Sequence, residues 1–110
     1  MTKNKEELVS ISMKIIMHAG DARIHIQKAI LASKETDYQT ADELMKKAEN
    51  DLKLAHGYQT DVIQENILYE EEPSCLLFAH AQDTFMCVNS EYNLSMHIIN
   101  LYKQLNEVRK

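Results

Sequence analysis

From Glu6 to about Ser33 the apolar residues recur at helical spacing with no proline to interrupt them, and they fall on two stripes. Leu8, Ile11, Ile15, Ala19, Ala22, Ile26 and Ala29 form one; Val9, Met13, Ile16, Gly20, Ile24 and Leu31 form another about a third of a turn away. Asn4 and Glu7 have capping-box spacing, so a long first helix is predicted over about 6–33. A turn follows at Lys34-Glu35-Thr36-Asp37, where Thr36 and Gln39 again fit a capping box and Asp37 can support the new helix N-terminus. The second helix is expected over about 38–67, with a core stripe of Ala41, Leu44, Ala48, Leu52, Ala55, Val62 and Asn66. Gly57 lies inside it, as a tolerated surface glycine or a point of close helix contact.

Glu70-Glu71-Glu72-Pro73 suits the start of a third helix, which runs over about 73–108. Phe78, Ala81, Phe85, Val88, Tyr92, Met96 and Ile99 make its expected core stripe. A second stripe comprises Leu76, His80, Asp83, Thr84, Cys87, Glu91, Leu94, Ile98, Leu101 and Leu105, polar in its first half and apolar in its second. A single domain over 1–110, all-α and folded as an antiparallel three-helix bundle, is the reading. Because a lone bundle buries only one stripe per helix, the surplus stripes predict a homo-oligomer.

Composition supports helices and narrows the function. Only two glycines and one proline occur in 110 residues, which leaves little turn chemistry for a sheet. A net charge of −5 without a basic stripe argues against nucleic acid. No apolar run approaches the roughly 20 residues that span a bilayer and no signal-like segment opens the chain, so a cytoplasmic protein is expected, without membrane insertion. Cys75 and Cys87 are separated by about 18 Å along one helix, too far for a disulfide. Cys87 is read as a buried structural thiol, and Met13, Met17, Met45, Met86 and Met96 as core filler.

The segment Leu76-Leu77-Phe78-Ala79-His80-Ala81-Gln82-Asp83-Thr84-Phe85-Met86 gathers an imidazole, an amide and a carboxylate near the start of an otherwise apolar helix. A neutral imidazole there can attack a phosphoryl group, and the helix N-terminus favours an incoming anion. Asp83 and Thr84, on the same face, could orient the ring. On spacing alone, a half-buried His80 hydrogen-bonded to a neighbour remains the better account. A zinc site fits less well, since no Cys pair or His-x-x-x-His arrangement is present. His18 and His25 are too far apart along the first helix to chelate one ion, and with His97 are read as surface or interface residues.

Four ordered segments change that balance. Ala19-Gly20-Asp21-Ala22-Arg23, Ala55-His56 with Gln59-Thr60, Pro73 followed by His80-Ala81-Gln82-Asp83 with Met86, and Leu101-Tyr102-Lys103 resemble the enzyme IIA component of the lactose/cellobiose (chitobiose) family of the bacterial phosphoenolpyruvate-dependent sugar phosphotransferase system. The resemblance implies a homotrimer whose helices pack as a nine-helix bundle. It implies that His80 takes a phosphoryl group from HPr and passes it to a cysteine of enzyme IIB; Gln82, within the matching motif, and Thr84, on the face of the ring, are expected to support the site. It also implies one Mg2+ per trimer, held on the axis by Asp83, where three converging carboxylates would otherwise repel. Within the motif, Thr84 and Phe85 stand where the family usually has His-Leu, and Asn89, Ser90 and Glu91 are unusually polar. Those departures keep open a non-catalytic interaction bundle of the same fold. A histidine phosphotransfer domain of two-component signalling is disfavoured because no Lys-Gly pair follows His80.

Overall fold

The computed structural model describes the backbone of residues 2–64 and 74–109 and the side chains of 5–63 and 76–109. Within them the chain forms α1 (Thr2–Lys34), α2 (Tyr38–Gln64) and α3 (Ser74–Arg109), and no strand. The backbone is already helical at Thr2, so Asn4 lies inside α1 and is not its cap. Expected features at Asn66, Ile67 and Glu70 to Pro73 fall outside the described residues. The three helices make an elongated bundle of 63 × 19 × 17 Å. His25 meets Asp51 and His18 meets Tyr58, which sets α1 antiparallel to α2; Tyr38 meets Tyr102 and His56 meets Phe85, which sets α2 antiparallel to α3.

Alanine dominates the seam between α1 and α2. Ala19, Ala22 and Ala29 on α1, and Ala41, Ala48 and Ala55 on α2, are fully buried, and such small side chains let two helix backbones approach closely. Larger residues close the core around them: Leu8, Ile15, Ile26, Leu52, Val62, Phe78, Phe85, Val88 and Ile99. On α2, Met45 is buried while Leu44 is only partly so. On α3 the stripe passes through Ser95, 5% exposed, and leaves Met96 at 44%. The alternation of three- and four-residue steps from Phe78 to Ile99 reaches position 95, and spacing outranks hydrophobicity there.

The α1/α2 turn also departs from expectation, because Asp37 and not Thr36 caps α2. Its Oδ1 accepts from the Thr40 N–H at 3.2 Å, and its carbonyl accepts from Ala41 N–H at 3.1 Å. The hydrogen bond with Thr40 holds the Asp37 carboxyl below its ordinary range. Thr36 instead terminates α1 with φ of 61°, donating its N–H to Ser33 while the Asp37 N–H reaches Ala32. That is a Schellman closure with a β-branched residue at the position that glycine usually fills. Thr36→Gly should relieve about 1–2 kcal/mol of left-handed strain, partly offset by glycine's chain entropy, for a net gain of roughly 0.5–1 kcal/mol. Chemical denaturation of the two proteins measures it.

The far end of α3 is tied to α2 by polar contacts. Tyr38 donates its hydroxyl to the Tyr102 carbonyl at 3.1 Å, and Lys103 Nζ donates to Asp42 at 3.1 Å. Gly57 has nothing within 4 Å of an added Cβ, so within the protomer it is a surface glycine. The surplus stripes lie open: Met13, Ile24 and Leu31 on α1, and Leu94, Leu101 and Leu105 on α3, are all at least half exposed. Of the methionines expected to fill the core only Met45 does so; Met13, Met17, Met86 and Met96 are exposed.

Candidate functional site on the third helix

His80 lies less than two turns into α3, on the polar half of its second stripe, and its side chain is exposed. Asp83 is exposed beside it. Thr84 does not orient the ring, because its hydroxyl donates to the His80 backbone carbonyl at 2.9 Å, the back-bond that threonine commonly makes within a helix. Among the described residues no hydrogen bond links the His80 ring to Gln82, Asp83 or Thr84, and the imidazole is free to meet an incoming group. Gln82 is partly buried, and two helical steps turn it about 200° from His80, toward the side that carries Met86 and Asn89. One protomer therefore brings together His80, Asp83 and Thr84, and leaves Gln82 apart.

On that other side a groove of about 540 Å³ opens between α2 and α3, lined by His56, Gln59, Phe85, Met86, Asn89 and Tyr92 with others. The His56 ring lies 6.0 Å from that of Phe85, tilted by 32°. Burial first, and then the Glu49 carboxylate, push the Tyr92 phenol above its ordinary value. Further along, Arg23 of α1 grips Glu91 of α3 with both ends of its fork, Nε to Oε1 at 2.9 Å and Nη2 to Oε2 at 2.7 Å. Hydrogen bonding to Glu91 raises the Arg23 pKa. The pair is about 40% exposed on each side (39%/43%), which limits it to about 1 kcal/mol; its larger effect is to fix the register of α1 on α3.

The sequence matches the family described as the PTS system lactose/cellobiose-specific IIA subunit over residues 10–103. The chain belongs to that family. It is 36% identical over 104 residues to the lichenan-specific phosphotransferase enzyme IIA component of Bacillus subtilis (strain 168), covering 94% of each chain. With the lactose-specific EIIA component of Lacticaseibacillus casei it shares 29% identity over 108 residues, covering 98% of this chain and 96% of the relative. The crystal structure of the PTS cellobiose-specific enzyme IIA from Bacillus anthracis superimposes with a TM-score of 0.80 at 32% identity, over 89% of this chain and 90% of that one.

As a IIA protein of this family, the chain shows why its third helix is polar where apolar residues were expected. Glu91 answers Arg23, the last residue of Ala19-Gly20-Asp21-Ala22-Arg23, and Asn89 faces the groove. Cys87 is exposed, not buried, because it shares the face of His80 and not the core stripe. The Cys75 side chain lies outside the described residues. His56 and Gln59 escaped the reading of the sequence as site residues, since each stands alone on α2; only their pairing with Ala55 and Thr60 in one of the ordered segments marked them. No helix among the described residues is long and apolar enough to cross a membrane.

Proposed function

We propose that the chain is a phosphoryl carrier of a sugar phosphotransferase system serving a lactose/cellobiose-type sugar, with His80 as the acceptor. The observation that carries this reading is an exposed imidazole near the start of a long helix, without a competing hydrogen bond, in a chain of the IIA family. A neutral ring nitrogen of His80 attacks the phosphorus of phosphohistidine on HPr; the P–N bond to HPr breaks, and its electrons return to the HPr imidazole, which takes up a proton. The His80 ring releases its own proton to solvent. In the second transfer a thiolate of enzyme IIB attacks the same phosphorus, the P–N bond to His80 breaks, and its electrons return to the His80 ring, which takes up a proton from solvent. Little covalent work falls to the protein, so positioning dominates. Both transfers run in the cytoplasm, where the donor and acceptor proteins act.

The exposed apolar stripes support a homotrimer, a nine-helix bundle in which the open faces of α1 and α3 are covered by other copies. Gln82, turned away from His80 on its own helix, can support the phosphoryl group only from another copy. Asp83 fits a Mg2+ shared on the axis: its carboxylate is exposed and no cation pairs with it among the described residues. Bound there, the ion would neutralise three converging carboxylates. Asp83→Leu should lose the magnesium yet remain trimeric, because the apolar replacement removes the same repulsion. Metal analysis with analytical ultracentrifugation checks this, and equal magnesium in the variant rejects Asp83 as ligand.

The relay itself is tested by incubating the chain with phosphoenolpyruvate, enzyme I and HPr. An acid-labile phosphate that chases onto enzyme IIB is expected. A chain that binds enzyme IIB but never acquires the label would instead be the non-catalytic bundle, the alternative that Thr84 and Phe85 raise.

A further inference from the structure

A second group of candidate ligands lies on the α1/α2 seam, carried by neither α3 nor the groove. One ring nitrogen of His18 and one carboxylate oxygen each of Asp21 and Asp51 all lie within 4.8 Å of one another. His18 and Asp21 are one turn apart on α1, and Asp51 faces them from α2, so the set bridges two helices. The His18 Nδ1 atom is buried without a hydrogen-bond partner, while its ring stacks on Tyr58 with centroids 5.7 Å apart and planes at 13°. A buried imidazole nitrogen left unpaired in a helical seam calls for an explanation, and a bound ion supplies one. Asp51 is also held by His25, whose Nδ1 lies 2.9 Å from its Oδ2. Among the described residues no lysine or arginine pairs with Asp21.

We propose that His18, Asp21 and Asp51 form a binding site for a borderline divalent cation of the zinc class, clipping α1 to α2, with His25 orienting the Asp51 carboxylate from the outer shell. One nitrogen and two oxygens suit zinc, and three protein ligands leave a fourth position for water. Ligands at about 2.0–2.2 Å from a tetrahedral ion stand roughly 3.4 Å apart, so a shift of about an ångström closes the present arrangement around a metal. The tight alanine seam supports this closure by fixing the two helix backbones, leaving only side-chain rotations to complete the site. His25 plays the part that hydrogen-bonding partners play for ligating carboxylates in other sites. The inference is independent of the phosphoryl relay and uses none of its residues.

The test titrates ZnCl2 into the EDTA-treated full chain in reducing buffer, by calorimetry and by thermal melting. Wild type should bind one zinc per chain at this site and melt at a higher temperature with zinc than without. Asp51→Asn and His18→Gln keep both cysteines, His80 and Asp83; each should bind that zinc at least about tenfold more weakly and lose the zinc-dependent rise in melting temperature. His25→Gln should weaken binding by about 10–100-fold, as loss of an outer-shell partner does. Circular dichroism identifies any variant that has lost its helices, and the other ligand variant then carries the comparison. Zinc binding unchanged in a folded ligand variant, or a wild-type melting temperature indifferent to zinc, overturns the proposal.

Discussion

His80→Gln should abolish the acid-labile phosphate while leaving the fold as it is. Glutamine keeps polarity and approximate reach, but its amide nitrogen has no free lone pair with which to attack phosphorus. The His80 side chain is exposed, no described hydrogen bond uses its ring, and Thr84 donates to its backbone carbonyl in either protein. Its replacement should therefore change stability by no more than about 0.5 kcal/mol. Loss of label with an unchanged denaturation midpoint then reports chemistry and not unfolding. The variant should also fail to donate to enzyme IIB, since no phosphoryl group is present to pass on. Full labelling of the variant would move the acceptor to another histidine, with His56 in the groove the first to examine.

The helices, their order and the α1 core stripe were legible because each rests on spacing that repeats over many residues. The same regularity misled locally where one residue's hydrophobicity competed with register. Met96 looked like a core position, but the periodic step lands on Ser95, whose small side chain fits the seam. Thr36 looked like a cap because capping chemistry is common to Thr and Asp, and only the backbone shows that Thr36 closes α1 while Asp37 opens α2. Site geometry was less legible than fold. That His80, Asp83 and Thr84 share a face follows from their spacing, whereas Thr84 turning its hydroxyl back to a carbonyl does not. Cross-helix pairs such as Arg23 with Glu91 and His25 with Asp51 link positions far apart in sequence, so no local pattern reveals them. The polarity of Glu91 looked anomalous for the same reason: its partner is on another helix.

Phe85→Ala is the substitution expected to cost most in stability. The residue is 6% exposed, belongs to the buried cluster and forms part of the wall between the core and the α2/α3 groove. Truncating a buried phenylalanine removes its transfer free energy and leaves a cavity, together about 3–5 kcal/mol. Here the loss should fall near 3 kcal/mol, because α2 and α3 pack least extensively of the three helix pairs and the groove lets neighbours such as Met86 move into part of the space. That is a large share of the roughly 5–15 kcal/mol that holds a typical domain together. Phe85→Leu keeps an apolar side chain of similar reach and should cost less than about 1.5 kcal/mol. Urea denaturation of the two variants separates cavity from identity. Below the unfolding transition both should still accept phosphate at His80, since Phe85 lies on the core stripe and His80 on the exposed one. A loss under about 1 kcal/mol in Phe85→Ala would mean that the α2/α3 seam is held by other contacts, Leu52 and Tyr92 foremost.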